Sequence, residues 1–183
     1  MNSSRAKQIR LLPSQRNTAG AMALLRDPGD IALVHRGVDR AFVMRCPCGC
    51  NDTLIINLDE RAGPRWRHYK RKGVLTIFPS YWREDGCGSH FIVSRDQILW
   101  CGGDYEYWEE SVDPDLLRAV LQRLPSVRLC TILEIADVLD ALPWDVLMAC
   151  RQLVRQQLAH EGHGHERGQF RARLVASGDR NQF

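Results

Sequence analysis

The chain has 183 residues, of which 44% are hydrophobic, and a formal net charge of +3. This composition can fill a core, so it excludes global disorder, and so mild a charge does not by itself indicate a nucleic-acid partner. No apolar run approaches the ~20 residues that span a bilayer, and residues 1–20 lack the apolar segment of a signal peptide. We therefore expect a cytoplasmic protein with no membrane partner.

The first 104 residues divide into two regions. Residues 1–29 begin polar and basic and end at the turn Asp27-Pro28-Gly29, which indicates an N-terminal arm with at most a short helical turn. Residues 30–104 contain short runs of β-branched and aromatic residues between turn signals, which predicts a small antiparallel β-sheet domain. We expect its strands in the stretches DIALVHRG, RAFVMRC, TLIINL, RWRHYK, VLTIFPS, HFIVS and QILWC.

Residues 105–183 change to helical periodicity. The stretch DPDLLRAVLQRL begins with an Asp cap and Pro at the first helical position, and TILEIADVLDAL begins with the capping box Thr131 and Glu134. A third helix is predicted from Pro143 to about Gly162, followed by a β-wing in GHGHERGQFRARLV. Three helices and a β-ribbon resemble a winged helix. The predicted fold class is therefore α+β, a small antiparallel sheet domain with a Cys-rich metal site followed by a winged-helix-like region.

The segment from Ile77 to Ile92 contains the candidate catalytic residues. Two apolar runs flank a polar, Gly-containing loop, which predicts a hairpin with Ser80 where one strand ends and His90 where the next begins. A nucleophilic serine needs a base at about 2.6–3.2 Å. Ser89 is the competing serine, but adjacent residues of a strand point to opposite faces, so Ser80 is better placed. Pro79-Ser80 can also be a simple turn, with His90 as a cap or metal ligand.

Four cysteines form the candidate metal site: Cys46, Cys48, Cys50 and Cys87. An odd total of seven cysteines in a cytoplasmic chain favours metal binding or free thiols over disulfides. Four thiolates suit a tetrahedral structural zinc site, so Zn²⁺ is the predicted cofactor. Two of the clustered cysteines with His90 or Cys101 are an alternative ligand set, and a metal-bound His90 cannot act as a base.

Other candidate groups are weaker. Cys130 and Cys150 lie on apolar helical faces and are expected in the core. His160, His163 and His165 are close in sequence but are expected to be exposed. Glu84 and Asp85 are near enough in sequence to orient His90, and the acidic run 104–110 is expected to connect the domains.

A basic hairpin is the candidate partner surface. Its cations are Arg61, Arg65, Arg67, Lys70, Arg71 and Lys72, interleaved with Trp66 and Tyr69. Such a run can bind single-stranded nucleic acid or an acidic protein, or be a solvated face. The predicted third helix carries Arg151 and Arg155 but few other cations, so we favour a protein partner over nucleic acid.

At CPCGC, IFPS and CGSHF, closed by ILW, residues 40–101 resemble a family of small bacterial proteins. Some members are encoded beside genes for a ubiquitin-like protein and its E1-like and E2-like enzymes. The resemblance implies a serine peptidase with a Ser80–His90 dyad that processes or removes the ubiquitin-like protein, in antiphage defence. It also implies a metal near Cys46, Cys48, Cys50 and Cys87.

Three functions therefore compete. The first is the serine peptidase or isopeptidase, whose oxyanion donors are expected in the loop 86–89. The second is a zinc-stabilised binding module without catalytic activity, which acts on a protein or nucleic-acid partner through its winged helix. The third is a metal-dependent hydrolase with His90 and fewer cysteines as ligands and a bound water as nucleophile.

Overall fold

A computed structural model describes residues 5–102 and 112–173 of the chain. The chain forms two compact units, 1–107 and 108–183, and each is described by itself. Antiparallel sheets and helices occur together, as the α+β class predicts. The acidic run 104–110 lies outside the described residues, so the connector predicted there has no structural account.

The first unit contains two four-stranded sheets. The first sheet, in the order β1-β2-β3-β4, comprises β1 (Arg10–Gln15), β2 (Asp30–His35), β3 (Asp39–Arg45) and β4 (Thr53–Asn57). The second, in the order β5-β6-β7-β8, comprises β5 (Arg67–Arg71), β6 (Val74–Trp82), β7 (His90–Ser94) and β8 (Gln97–Trp100). The strands β2 to β8 lie where the sequence pattern predicts them.

The core of the first unit lies between the two sheets. Alternate residues of a strand point to opposite faces, and β3 follows this rule. Phe42 and Met44 join the apolar cluster shared with the second sheet, whereas Val43 packs against Ala21 and Leu25. Ala21 lies in α1 (Thr18–Leu24), and Leu25 is the C-cap residue of that helix. The unit is thus a helix and two sheets in layers.

The segment predicted as an N-terminal arm contains regular structure. β1 pairs in parallel with β2, and α1 is capped by the Asn17 side chain. The Arg10 guanidinium donates to both carboxylate oxygens of the buried Asp30, at 2.7 and 2.8 Å. The exposed sequence RLLPSQ lacks the alternation of a half-buried strand, so pairing with β2 and the ion pair determine its structure.

The second unit combines three helices with a three-stranded sheet. Its elements are α2 (Pro114–Arg123), β9 (Cys130–Thr131), α3 (Ile132–Leu139), α4 (Pro143–Arg155), β10 (Ala159–Glu161) and β11 (Gln169–Ala172), with the strand order β10-β11-β9. The predicted capping box of Thr131 and Glu134 is present. Cys130 and Cys150 are buried, as predicted for core thiols.

The third helix is shorter in the structure than the sequence pattern predicts. α4 ends at Arg155 instead of near Gly162, and Gln157 has a positive φ of 61°. The chain then turns into β10, because Ala159–Glu161 pairs with β11. None of the helices in the described residues is both long and apolar enough to span a bilayer.

Candidate catalytic pair and cysteine cluster

Ser80 and His90 lie within hydrogen-bonding distance on neighbouring strands. Trp82 of β6 is directly opposite His90 of β7, and Ser80 precedes Trp82 by two residues. A residue two positions from the direct partner is a diagonal neighbour that side chains can reach. Ser80 Oγ is 3.1 Å from His90 Nε2. With Nε2 unprotonated, the hydroxyl donates to it, which is the geometry of a nucleophile and its base.

Ser80 lies in an irregularity of the pairing between β6 and β7. Between the pairs Ile77–Val93 and Tyr81–Phe91, three residues of β6 lie opposite Ile92 alone. Pro79 is one of the three and has no N–H for the ladder, so a bulge suits this position. The Trp66 indole N–H donates to the Ser80 carbonyl at 3.3 Å. This contact fixes the backbone of Ser80 from the side of β5.

Ser89, the competing serine, faces away from the imidazole. Its side chain is 5% exposed, and its hydroxyl lies 3.1 Å from the Cys87 sulfur and 3.6 Å from the Cys46 sulfur. Ser89 and His90 are adjacent and point to opposite faces. Ser80 therefore lies beside His90, whereas Ser89 lies beside the cysteines. The sequence did not identify this second role of Ser89.

The two acidic residues that are near enough in sequence to orient His90 are not its partners in the structure. Glu84 and Asp85 are exposed in the loop between β6 and β7. In the part of the chain that the structure describes, neither is hydrogen-bonded to His90, and the contacts of the imidazole are with Ser80 and Trp82. The Trp82 indole stacks on the imidazole with a centroid distance of 5.6 Å.

The four predicted cysteines come together. The sulfur atoms of Cys46, Cys48, Cys50 and Cys87 all lie within 4.8 Å of one another. The Cys46 sulfur lies 3.4 Å from the Cys48 sulfur and 3.7 Å from the Cys87 sulfur. Zn–S bonds of ≈ 2.3 Å in a tetrahedron place the sulfur atoms roughly 3.8 Å apart. The cluster therefore has the donor set and the dimensions to hold such an ion.

Two loops supply the cluster. Cys46, Cys48 and Cys50 lie in the turn between β3 and β4, where Gly49 has a φ of +86° that favours glycine. Cys87 lies in the loop between β6 and β7, whose ends are joined by the Arg83 N–H bond to the Ser89 carbonyl at 2.8 Å. An Arg83–Asp52 ion pair at 3.2 Å also joins the two loops. The cluster thus connects the β6–β7 hairpin to the first sheet.

Hydrogen bonds to sulfur stabilise thiolates in the cluster. Burial raises the pKa of Cys87, but hydrogen bonds from the Ser89 side chain and backbone N–H and from neighbouring thiols outweigh it and lower the pKa to about 6. Burial raises the pKa of Cys46 well above its usual range, although the Cys48 N–H and the Ser89 hydroxyl oppose this. N–H groups aimed at sulfur are a typical support of metal-binding thiolates.

The alternative ligands lie outside this group. Among the described residues, the cluster contains neither His90 nor Cys101. Burial raises the pKa of Cys101, and its backbone N–H donates to the His90 carbonyl at 2.9 Å. His160 and His163 of the second unit touch edge to face at 5.6 Å without forming a metal-ligand group with a third residue.

The basic hairpin has fewer free groups than its sequence indicates. Arg61 pairs with Asp59 at 2.8 Å, and Arg65 pairs with Glu60 beside the short 3₁₀ turn Glu60–Ala62. Trp66 packs against Tyr81 with ring centroids 5.6 Å apart. An aromatic held in this way is a poor platform for stacking a base.

The site thus combines a hydroxyl–imidazole pair on adjacent strands, in the geometry of a nucleophile and its base, with four clustered thiols that can hold a metal ion. Residues 18–101 match the family model described as bacterial ubiquitination-like system serine protease (BubE). This match confirms the resemblance carried by CPCGC, IFPS and CGSHF. The match extends from α1 to the end of β8 and does not reach the second unit. No curated protein and no solved structure matches the chain.

Proposed function

We propose that the chain is a serine protease that cleaves a peptide or isopeptide bond at the C-terminus of a ubiquitin-like protein. Ser80 is the nucleophile and His90 is the general base. The 3.1 Å separation of Ser80 Oγ and His90 Nε2 carries this proposal, and the match of residues 18–101 to the model of bacterial ubiquitination-like system serine proteases supports it. The family setting extends the proposal to E1-like and E2-like partners, a cytoplasmic location and a role in antiphage defence.

The proposed reaction has two halves. Ser80 Oγ attacks the scissile carbonyl carbon while His90 Nε2 accepts the hydroxyl proton, and a tetrahedral oxyanion forms. Collapse of this intermediate breaks the C–N bond, and His90 returns the proton to the leaving amine. Water, deprotonated by His90, then attacks the Ser80 ester, and a second collapse releases the carboxylate and restores the serine hydroxyl.

The loop 83–89 is the proposed source of oxyanion stabilisation. Backbone N–H groups are suitable donors because they need no reorganisation during the reaction. The Ser89 N–H is bonded to the Cys87 sulfur, so it does not serve. Gly88, with a φ of +66°, is the remaining candidate next to it.

We propose that the cysteine cluster binds one structural Zn²⁺. Four thiolates fill a tetrahedral coordination shell and leave no position for a reactive water. The ion would supply cross-linking between the turn at Cys46–Cys50 and the loop that carries Cys87. The residues of that loop hold His90 at the start of β7, so the cluster supports the pair without taking part in proton transfer.

We infer that the second unit is a winged helix that binds the ubiquitin-like protein or another protein partner. Its element order, α2-β9-α3-α4-β10-β11, and its sheet order, β10-β11-β9, favour this assignment. Between residues 112 and 173, acidic and basic side chains are equal in number. In α4, Arg155 is the one exposed residue. Both features favour a protein over a nucleic acid, because a nucleic-acid reader has a clustered basic face.

The test is reaction with a fluorophosphonate probe and with a ubiquitin-like protein extended at its C-terminus. Wild-type protein is expected to be labelled on Ser80 and to cleave the extension. Ser80→Ala and His90→Gln should abolish both while metal content and circular dichroism stay unchanged. Ser14→Ala, at an exposed serine of β1, is the matched control and should behave as wild type. Full cleavage by Ser80→Ala would contradict the assignment and favour the binding-module alternative.

A further inference from the structure

The exposed indole of Trp82 covers one face of the His90 imidazole. Trp82 is the last residue of β6 and lies directly opposite His90 in the ladder. The ring centroids are 5.6 Å apart and the ring planes differ by 27°, which is a stacked arrangement. Trp82 is nevertheless 58% exposed. Its contact with His90 is therefore made at the surface, beside the nucleophile.

The proposed reaction creates a positive charge on this imidazole. When Ser80 gives up its proton, His90 becomes an imidazolium, which a carboxylate stabilises and orients in a Ser-His-Asp triad. Across residues 5–102 and 112–173, no carboxylate is hydrogen-bonded to His90. An aromatic face within about 6 Å attracts a cation through its ring quadrupole. The Trp82 indole stands within that distance.

We propose that Trp82 is a positioning residue of the catalytic pair, whose indole holds the His90 ring toward Ser80 and stabilises the imidazolium. This inference rests on the proposed function. It assigns to an aromatic face the two tasks that a carboxylate performs in a triad. The indole makes no hydrogen bond to Nδ1, so it stabilises the charge without fixing the tautomer.

None of the other described groups around His90 is placed to stabilise the imidazolium. From β6, the Ser80 hydroxyl is the neutral partner of Nε2. Directly after β8, Cys101 contacts His90 through its backbone N–H, which donates to the His90 carbonyl. In the loop 83–89, the Arg83 guanidinium pairs with Asp52, and Glu84 and Asp85 are exposed. In the described residues, the aromatic face in contact with the imidazole is therefore that of Trp82.

Titration of the His90 imidazole by NMR tests the electrostatic part without requiring cleavage. Trp82→Leu removes the ring, so the imidazolium loses stabilisation and the His90 titration curve should move to lower pH. Trp82→Phe keeps a ring and should titrate nearly as wild type. Ile55→Leu changes another half-exposed strand residue of the unit and should leave the titration unchanged. An unchanged titration in Trp82→Leu would overturn the inference.

Kinetics on the extended ubiquitin-like substrate test the catalytic part. Trp82→Leu should lower kcat several-fold, leave KM nearly unchanged and move the acid limb of the pH profile to lower pH. Trp82→Phe should recover most of kcat. A raised KM with unchanged kcat and pH profile would show that Trp82 binds substrate instead, and would overturn the positioning role.

Ser80→Ala separates this inference from the proposed function. Lost cleavage in Ser80→Ala, together with an unmoved His90 titration in Trp82→Leu, would overturn the role of Trp82 alone. Retained cleavage in Ser80→Ala would overturn the proposed function, and with it the catalytic part of this inference, even if Trp82→Leu shifts the titration.

Discussion

The Ser89 hydroxyl lies 3.1 Å from the Cys87 sulfur, while the next residue along the chain, His90, points to Ser80. Adjacent residues of an extended chain face opposite ways, so Ser89, directly before β7, contributes to the cysteine cluster, and His90, the first residue of β7, contributes to the proposed catalytic pair. A change in the position of Ser89 must therefore move the backbone of His90. This geometry would couple the proposed metal binding to the proposed activity through a single peptide unit.

Ser89→Ala is expected to weaken metal binding before it affects catalysis. The variant removes a hydroxyl from the two sulfur atoms of Cys46 and Cys87, and loss of such a supporting contact typically costs 10–100-fold in metal affinity. Competition with a zinc-binding dye measures the affinity. At saturating Zn²⁺, cleavage should stay within a few-fold of wild type, because Ser80 and His90 are unchanged. Complete loss of cleavage at full occupancy would show that Ser89 acts in the reaction itself.

Asp30→Asn is expected to destabilise the first unit and to change its acid sensitivity. The buried carboxylate accepts two bonds from Arg10 and two from the N–H groups of Arg26 and Asp27. Replacing one partner of such a network costs about 1–3 kcal/mol of unfolding free energy. Urea unfolding at neutral pH measures this loss. Asp27→Asn is the matched control, since its pair with Arg10 is exposed and should contribute about 0–1 kcal/mol.

The acid sensitivity follows from the pKa of Asp30. Burial raises this pKa, but bonds from Arg10 and from the N–H groups of Asp27 and Arg26 outweigh it and hold it below its usual value of 3.8. A carboxyl with a lowered folded-state pKa stabilises the protein above its unfolded pKa, and the contribution disappears as the pH falls through the folded value. Wild type should therefore lose stability below about pH 4 more steeply than Asp30→Asn. Parallel pH profiles would contradict this assignment.

Thr131→Ala is expected to destabilise the second unit by about 1 kcal/mol, the usual cost of losing an N-cap. The Thr131 side chain accepts from the Glu134 N–H at 3.3 Å, and Glu134 accepts from the Thr131 N–H at 2.7 Å. Thermal unfolding of the full chain, followed by a tryptophan of that unit, measures the change. Thr131→Ser retains a hydroxyl and should behave nearly as wild type. An equal loss in both variants would assign the effect to packing of the methyl group.

The β6–β7 hairpin was predictable because its determinants are local. Two β-branched runs around a polar loop predict β6 and β7, and a hairpin necessarily brings the end of one strand to the start of the next. The proximity of Ser80 and His90 follows from that geometry. The convergence of Cys87 with Cys46 is less local, and cysteine chemistry, together with the family resemblance, supplied that prediction.

Features that depend on distant pairing were not predictable. β1 is an exposed, Pro-containing strand whose pairing with β2 is fixed by the Arg10–Asp30 ion pair. No sequence pattern links these two residues, which are twenty positions apart. The role of Trp82 depends on the ladder register, because a shift of one residue would turn its ring to the other face. α4 ends early because Ala159–Glu161 pairs with β11, which helical periodicity alone does not reveal.

Removal of the metal is expected to abolish structure and cleavage together. Because the binding free energy of a structural zinc is also folding free energy, a strong chelator should unfold the first unit, and added Zn²⁺ should restore both properties. Circular dichroism and cleavage, followed in the same titration, should change in parallel, with one Zn²⁺ per chain by elemental analysis. Cys87→Ser should mimic the chelator, whereas Cys101→Ser, outside the cluster, should not. Loss of cleavage with the fold intact would instead identify a catalytic metal, because a water-bearing site affects the reaction before it affects stability.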